Sequence, residues 1–204
     1  MQLATKPKGV FFAMLFVMLA SAMVCLYELK HSLDRYDAVV ATTYSNQIAF
    51  DNIAILFKTQ VQEWKDTLLR GKDPRDLDKY WGNFVKREGE VTEKVRALLA
   101  RLPEGDSQSL LAQFSQEHQK LGASYRQSLE LFKVAGFNPA AGDAAVRGAD
   151  REVERLLEVA GEKIASDRIS TSAIYGMEAA RAALIGLGAI LLASVLCMML
   201  FLFL

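Results

Sequence analysis

Basic and aromatic side chains gather around two turns of this chain. Arg70, Lys72 and Arg75 surround the breaker Gly71-Lys72-Asp73-Pro74, with Trp64, Lys65, Tyr80 and Trp81 a few helical turns away. Lys133, Phe137, Arg147 and Arg151 surround a second breaker that runs from Gly136 to Asp143. If the two turns meet, arginines converging between aromatic walls suit a carboxylate or another small anion, because a guanidinium offers paired donors in one plane. The candidate ligand-binding residues are therefore Trp64, Lys65, Arg70, Arg75, Tyr80, Trp81, Arg147 and Arg151. The competing expectation is a solvated surface in which these charges pair with Asp66, Asp73, Asp76, Asp78, Asp143 and Asp150.

A second constellation is Glu88 with His118, polar members of otherwise apolar helical seams. Their distances in sequence from the turn at Pro103 to Asp106 put them within about one helical turn in height. A buried pair of this kind titrates near neutrality and can switch. The plainer expectation is that each simply finds a hydrogen-bond partner. Catalysis has little support. A di-iron site needs two inward Glu-x-x-His pairs, and the chain offers one, Glu28 with His31. No haem-attachment, phosphate-loop or nucleophile-elbow pattern is present, so neither a metal nor a cofactor is expected and an enzyme is the least favoured class. Equal counts of acidic and basic residues, 24 each, argue against a nucleic-acid binder.

The elements that must position these groups are legible as spacing. Leu29, Leu33, Tyr36, Val40, Thr43, Gln47, Phe50, Ala54, Phe57, Val61, Trp64 and Leu68 alternate steps of four and three, a heptad seam up to Gly71. A second seam runs Leu77, Trp81, Phe84, Glu88, Val91, Val95, Leu98 and Leu102, and a third Leu111, Phe114, His118, Leu121, Tyr125, Ser128 and Phe132. The fourth, expected to begin after Gly142-Asp143, runs Val146, Asp150, Val153, Leu157, Ala160, Ile164, Asp167, Thr171 and Ile174. No β alternation competes. Four helices joined by short turns predict an all-α fold, an antiparallel up-down-up-down four-helix bundle.

Two apolar runs bracket this bundle, residues 9–27 and 182–204, each long enough to cross a hydrocarbon core of roughly 30 Å as a helix. Lys6 and Lys8 before the first run place residues 1–8 in the cytoplasm and the domain of residues 28–181 across the membrane. Ala20-Ser21-Ala22 also has the form of a signal-peptide cleavage site, but the apolar run passes through it into a helical pattern, which favours an uncleaved anchor. Cys25 and Cys197 belong at different depths and read as small apolar residues in lipid. Ala179, Ala182, Ala183, Gly186 and Gly188 suggest a face for close helix approach, to a second copy or to another membrane protein.

Two stretches, residues 57–71 at the end of the first helix and residues 143–152 at the start of the fourth, resemble segments of methyl-accepting chemotaxis receptors, and the layout of two spans around a helical bundle is similar to their sensor half. The resemblance implies a periplasmic sensor domain of an inner-membrane protein that dimerises and binds a small molecule near the end of the bundle far from the membrane. Such receptors continue past their second span into a long cytoplasmic signalling module. Here Leu204 falls inside the apolar run, so the expectation is either a sensor acting through a membrane partner or the receiving half of a longer protein. An accessory subunit without a small ligand is the rival reading.

Overall fold

The computed structural model describes residues 6–203. Five helices follow one another: α1 (Lys6–Arg70), α2 (Pro74–Leu99), α3 (Asp106–Val134), α4 (Pro139–Val146) and α5 (Arg151–Phe203). No strand occurs among the described residues. The breakers act as their chemistry requires. α1 stops at Gly71, whose N–H reaches Thr67 O at 2.8 Å. A Cβ there would lie 2.4 Å from that same oxygen, so only glycine fits this turn. Asp73 then caps α2 by accepting from the Arg75 N–H at 2.8 Å, with Pro74 at the first helical position, where its missing donor is harmless.

The fourth helix departs from expectation. Asn138 and Pro139 start a separate short helix, α4, with Asn138 Oδ1 accepting from the Ala140 N–H at 3.0 Å. The chain breaks again before α5, where Gly148 adopts φ +76°, a left-handed conformation that ends a helix at little cost only for glycine. Val146, assigned from spacing to the fourth seam, is buried from α4 instead. Upstream, Phe137 holds a positive φ of 63° with its N–H on Phe132 O at 2.9 Å, and its ring stands edge-on to Phe132 at 5.4 Å. A bulky residue is uncommon there, and this ring contact and hydrogen bond hold it.

The chain divides into two compact units. One comprises α1 as far as Thr42 with α5 from Ile169, and the other is Thr43–Arg168.

In the first unit the two helix segments run antiparallel, since Tyr36 lies by Gly176, Cys25 by Gly186, and Cys197 by Met14. Both helices contain stretches long and apolar enough to cross a membrane, by length and composition. Their large side chains point outward, with Phe12, Phe16, Val24 and Ile185 all mostly exposed. Of the small residues on α5, Gly186 meets Cys25 of this same chain, whereas Gly188 faces open space. Cys25 and Cys197 are both free thiols.

The second unit has one hydrophobic core, drawn from α1 (Phe50, Ile53, Phe57, Val61, Trp64, Leu68), α2 (Phe84, Val91, Val95, Leu98), α3, α4 (Val146) and α5 (Val153, Leu156, Leu157, Ala160, Ile164). All seven positions of the third seam are buried, polar His118 and Ser128 included. Each fully buried large apolar side chain contributes about 1.5–3 kcal/mol, so this core rather than helix propensity holds the unit together.

Candidate functional site

At the end of the second unit where α1 passes into α2, α4 closes against α1 and α3. A Cβ on Gly142 would meet Leu68 at 2.4 Å and Phe132 at 3.1 Å, and the Ser128 hydroxyl donates to Gly142 O. The eight candidate residues distribute around this end unequally. Trp64 is 3% exposed and sits within the core, against Trp81 (6.2 Å), Phe84 (6.4 Å) and Tyr125 (5.1 Å). Trp81 is half-buried and stacks on Phe84 at 4.8 Å. Arg70 donates to the Tyr80 hydroxyl at 3.0 Å, lies over its ring and pairs with Asp66 at 3.5 Å. Arg75 pairs with Asp73 at 3.6 Å, and Arg147 with Asp143 at 3.0 Å. Lys65 and Arg151 are exposed and make no ion pair among the described residues.

The structure thus brings together Trp64 with Trp81 and Arg70 with Tyr80. Among the described residues no hydrogen bond or ring contact joins Arg147 or Arg151 to the other six. This end also carries negative charge. Burial first, then the carboxylates of Asp150 and Glu154, push the Tyr125 phenol well above its ordinary range. An anion settling here has to gain more from the arginines than it loses to those two carboxylates.

Side-chain clefts open along the flanks of the unit, and four of them are lined by none of the eight. One of about 530 Å³ between α1 and α5 has Phe50 and Phe57 with Asp51, Glu154, Glu158 and Glu162 in its walls. Another, of about 610 Å³ between α2 and α3, is lined by Glu88, Gly89, Arg96, His118 and Arg126, among others.

His118 is 2% exposed, stacked on Phe114 at 5.7 Å and edge-on to Phe57 at 5.9 Å. Its Nε2 faces Gln60 Oε1 at 2.8 Å, so Nε2 carries the proton and donates. Burial lowers its pKa and Glu88 raises it in part, which leaves a neutral imidazole at neutral pH. The partner of His118 is therefore Gln60, and Glu88 bonds elsewhere, accepting two hydrogen bonds from Arg126 over the surface of Gly122. Gln60, Arg126 and Gly122 are the residues that reading by spacing missed. Gln60 lies one position before the seam residue Val61, and only its full burial reveals its role.

No group of three or more metal-ligating side chains occurs among the described residues.

Comparison with known proteins supplies one relative. The chain is 32% identical over 171 residues, 83% of its length, to methyl-accepting chemotaxis protein CtpH of Pseudomonas aeruginosa. This chain is a homologue of a methyl-accepting chemotaxis protein. The matched stretch spans 30% of that relative's length. No protein-family model matches the chain, and no solved structure does. The resemblance seen in residues 57–71 and 143–152 agrees with this relative, and the two apolar helices are compatible with a two-pass membrane protein.

Proposed function

We propose that this chain is the sensor half of a chemoreceptor-like signalling protein of the bacterial inner membrane, with Thr43–Arg168 held in the periplasm as an antiparallel four-helix bundle. A small molecule binds the bundle, and the event passes through α5 and its apolar stretch to a signalling partner or module. The observation that carries this reading is the identity to a chemotaxis protein over most of the chain, joined to two membrane-length apolar helices around a polar unit. Packed helices shift by roughly an ångström or two between discrete states, and a continuous α5 suits such a displacement.

The ligand on this reading is a small anion at the end that carries Arg70, Arg75, Arg147 and Arg151. The first three already hold carboxylates of their own chain in exposed pairs, the kind of contact an incoming anion exchanges at little cost. A homodimer is supported by a second apolar stripe on α1, with Tyr44, Ile48, Ile55 and Leu69 exposed on one face outside the core seam.

Thermal unfolding of the full chain in lipid nanodiscs against a panel of small anions tests the reading, because a specific ligand raises the midpoint by mass action. Silence across a broad panel favours the accessory-subunit alternative. A reporter fused at Gly105 reads outside and one at the N-terminus inside. Single cysteines placed along α1, at exposed positions such as Ser45 and Asn52, crosslink in native membranes with a helical periodicity if two copies join along this helix.

A further inference from the structure

We propose that the cleft between α2 and α3 is a proton-operated latch, in which protonation of His118 at Nδ1 draws Glu88 from Arg126 and loosens α2 from α3. Four features carry it. First, Nε2 is committed to Gln60 Oε1, so the next proton goes to Nδ1, which no side chain contacts through a hydrogen bond among the described residues. Second, His118 lines the cleft, so water has a path to a ring otherwise enclosed between Phe57 and Phe114. Gly89 lines the same cleft, and nothing lies within 4 Å of where its Cβ would be.

Third, Glu88 is the carboxylate whose field reaches the imidazole, and it is only 14% exposed at its side chain. Fourth, its present partner, Arg126, is 49% exposed, so that pair is weakened by solvent in a way that a pair with a buried imidazolium is not.

The surroundings of His118 leave Glu88 little competition. From α1 it meets Phe57 and Gln60, neither charged. On α2 the cleft carries Glu88, Glu93 and Arg96, and on α3 it carries Gln119 and Arg126. α5 gives Leu157, Ala160 and Ile164 to the core, while its carboxylates Glu154, Glu158 and Glu162 stand in the other cleft, of which Phe57 is a wall. Protonation forms one N–H bond and places one positive charge where the fold has only rings and an amide oxygen. Glu88 swings from its seat over Gly122 toward Nδ1, and the one ion pair between α2 and α3 among the described residues is released.

The test uses the full chain in nanodiscs. The chain has two histidines, so His31→Gln leaves His118 as the single imidazole for a nuclear magnetic resonance titration. Nitroxides at Lys86→Cys and Gln127→Cys, both exposed, read the separation of α2 and α3 once Cys25 and Cys197 are changed to alanine. The expected result is a His118 midpoint below 6.5 and a separation that broadens with the same midpoint. Glu88→Gln should move the midpoint lower and uncouple the separation from pH. A separation that stays fixed while His118 titrates overturns the latch. So does an equal response in a His118→Gln variant, and the unaltered chain decides alone if either variant fails to fold.

Discussion

The end of the helical unit and its waist hold charge in opposite ways. At the end, arginines pair with carboxylates two to four residues away: Arg70 with Asp66, Arg75 with Asp73, Arg147 with Asp143. At the waist, partners are far apart in sequence, Gln60 with His118 at a separation of 58 and Glu88 with Arg126 at 38. A local pair forms in any helix that contains it and contributes only about 0.3–0.5 kcal/mol, so it neither selects this fold nor resists a ligand. A distant pair exists only when the helices have docked. The end is therefore chemically available, whereas the waist is structurally committed.

The largest break in this contrast comes from Gln60→Leu, which leaves the His118 Nε2–H buried without an acceptor and should destabilise by about 1–3 kcal/mol in chemical denaturation of the full chain. Changing both partners, as Gln60→Leu with His118→Phe, should recover most of that loss, since Gln60 Nε2 already lacks a partner in the native core. The same residue gives the waist an acid sensitivity. Because the folded pKa of His118 lies below its ordinary 6.5, the unfolded chain binds the extra proton first. Stability should fall as pH drops through 6.5 toward the folded pKa, and this slope should vanish in the double variant.

Next in size is Arg126→Ala, which unpairs a mostly buried Glu88 and should cost about 1 kcal/mol, discounted for the exposure of Arg126 itself. Smallest in stability are Arg75→Ala and Arg147→Ala, expected to move the unfolding midpoint by less than about 0.5 kcal/mol. If a small anion binds at the end, calorimetry should nevertheless find about tenfold weaker binding in an arginine variant, since a charge-assisted hydrogen bond is worth about 1.5–3 kcal/mol. A stability loss at the end as large as that at Gln60 would erase the contrast.

Spacing revealed the seams because burial repeats every three or four residues, and the buried faces of α2, α3 and α5 follow it closely. It also located the breakers, since glycine and proline act through backbone geometry that any neighbour shares. What spacing could not reveal was partnership. Glu88 and His118 lie at one level as expected, yet each bonds to a third residue. Which side chain reaches which depends on rotamer direction and on the room left by Gly122. The short helix α4 escaped for a related reason: Asn138-Pro139 reads equally as a stop for one helix and a cap for the next. Trp64 was drawn to the site by its sequence neighbours, but its size suits the core.

Gly122 carries a consequence for how this sequence can change over time. A Cβ at that position would lie 1.9 Å from Glu88 Oε1, so any larger residue at position 122 displaces the Glu88 carboxylate from the seat where it meets Arg126. The two sites are bound in their inheritance although they stand 34 positions apart. Lineages that shorten residue 88 are free to enlarge residue 122, and those that keep the acid paired with residue 126 in this geometry should retain the glycine. A collection of related sequences would then show paired substitution at 88 and 122, with residue 126 losing its basic character wherever the acid has gone.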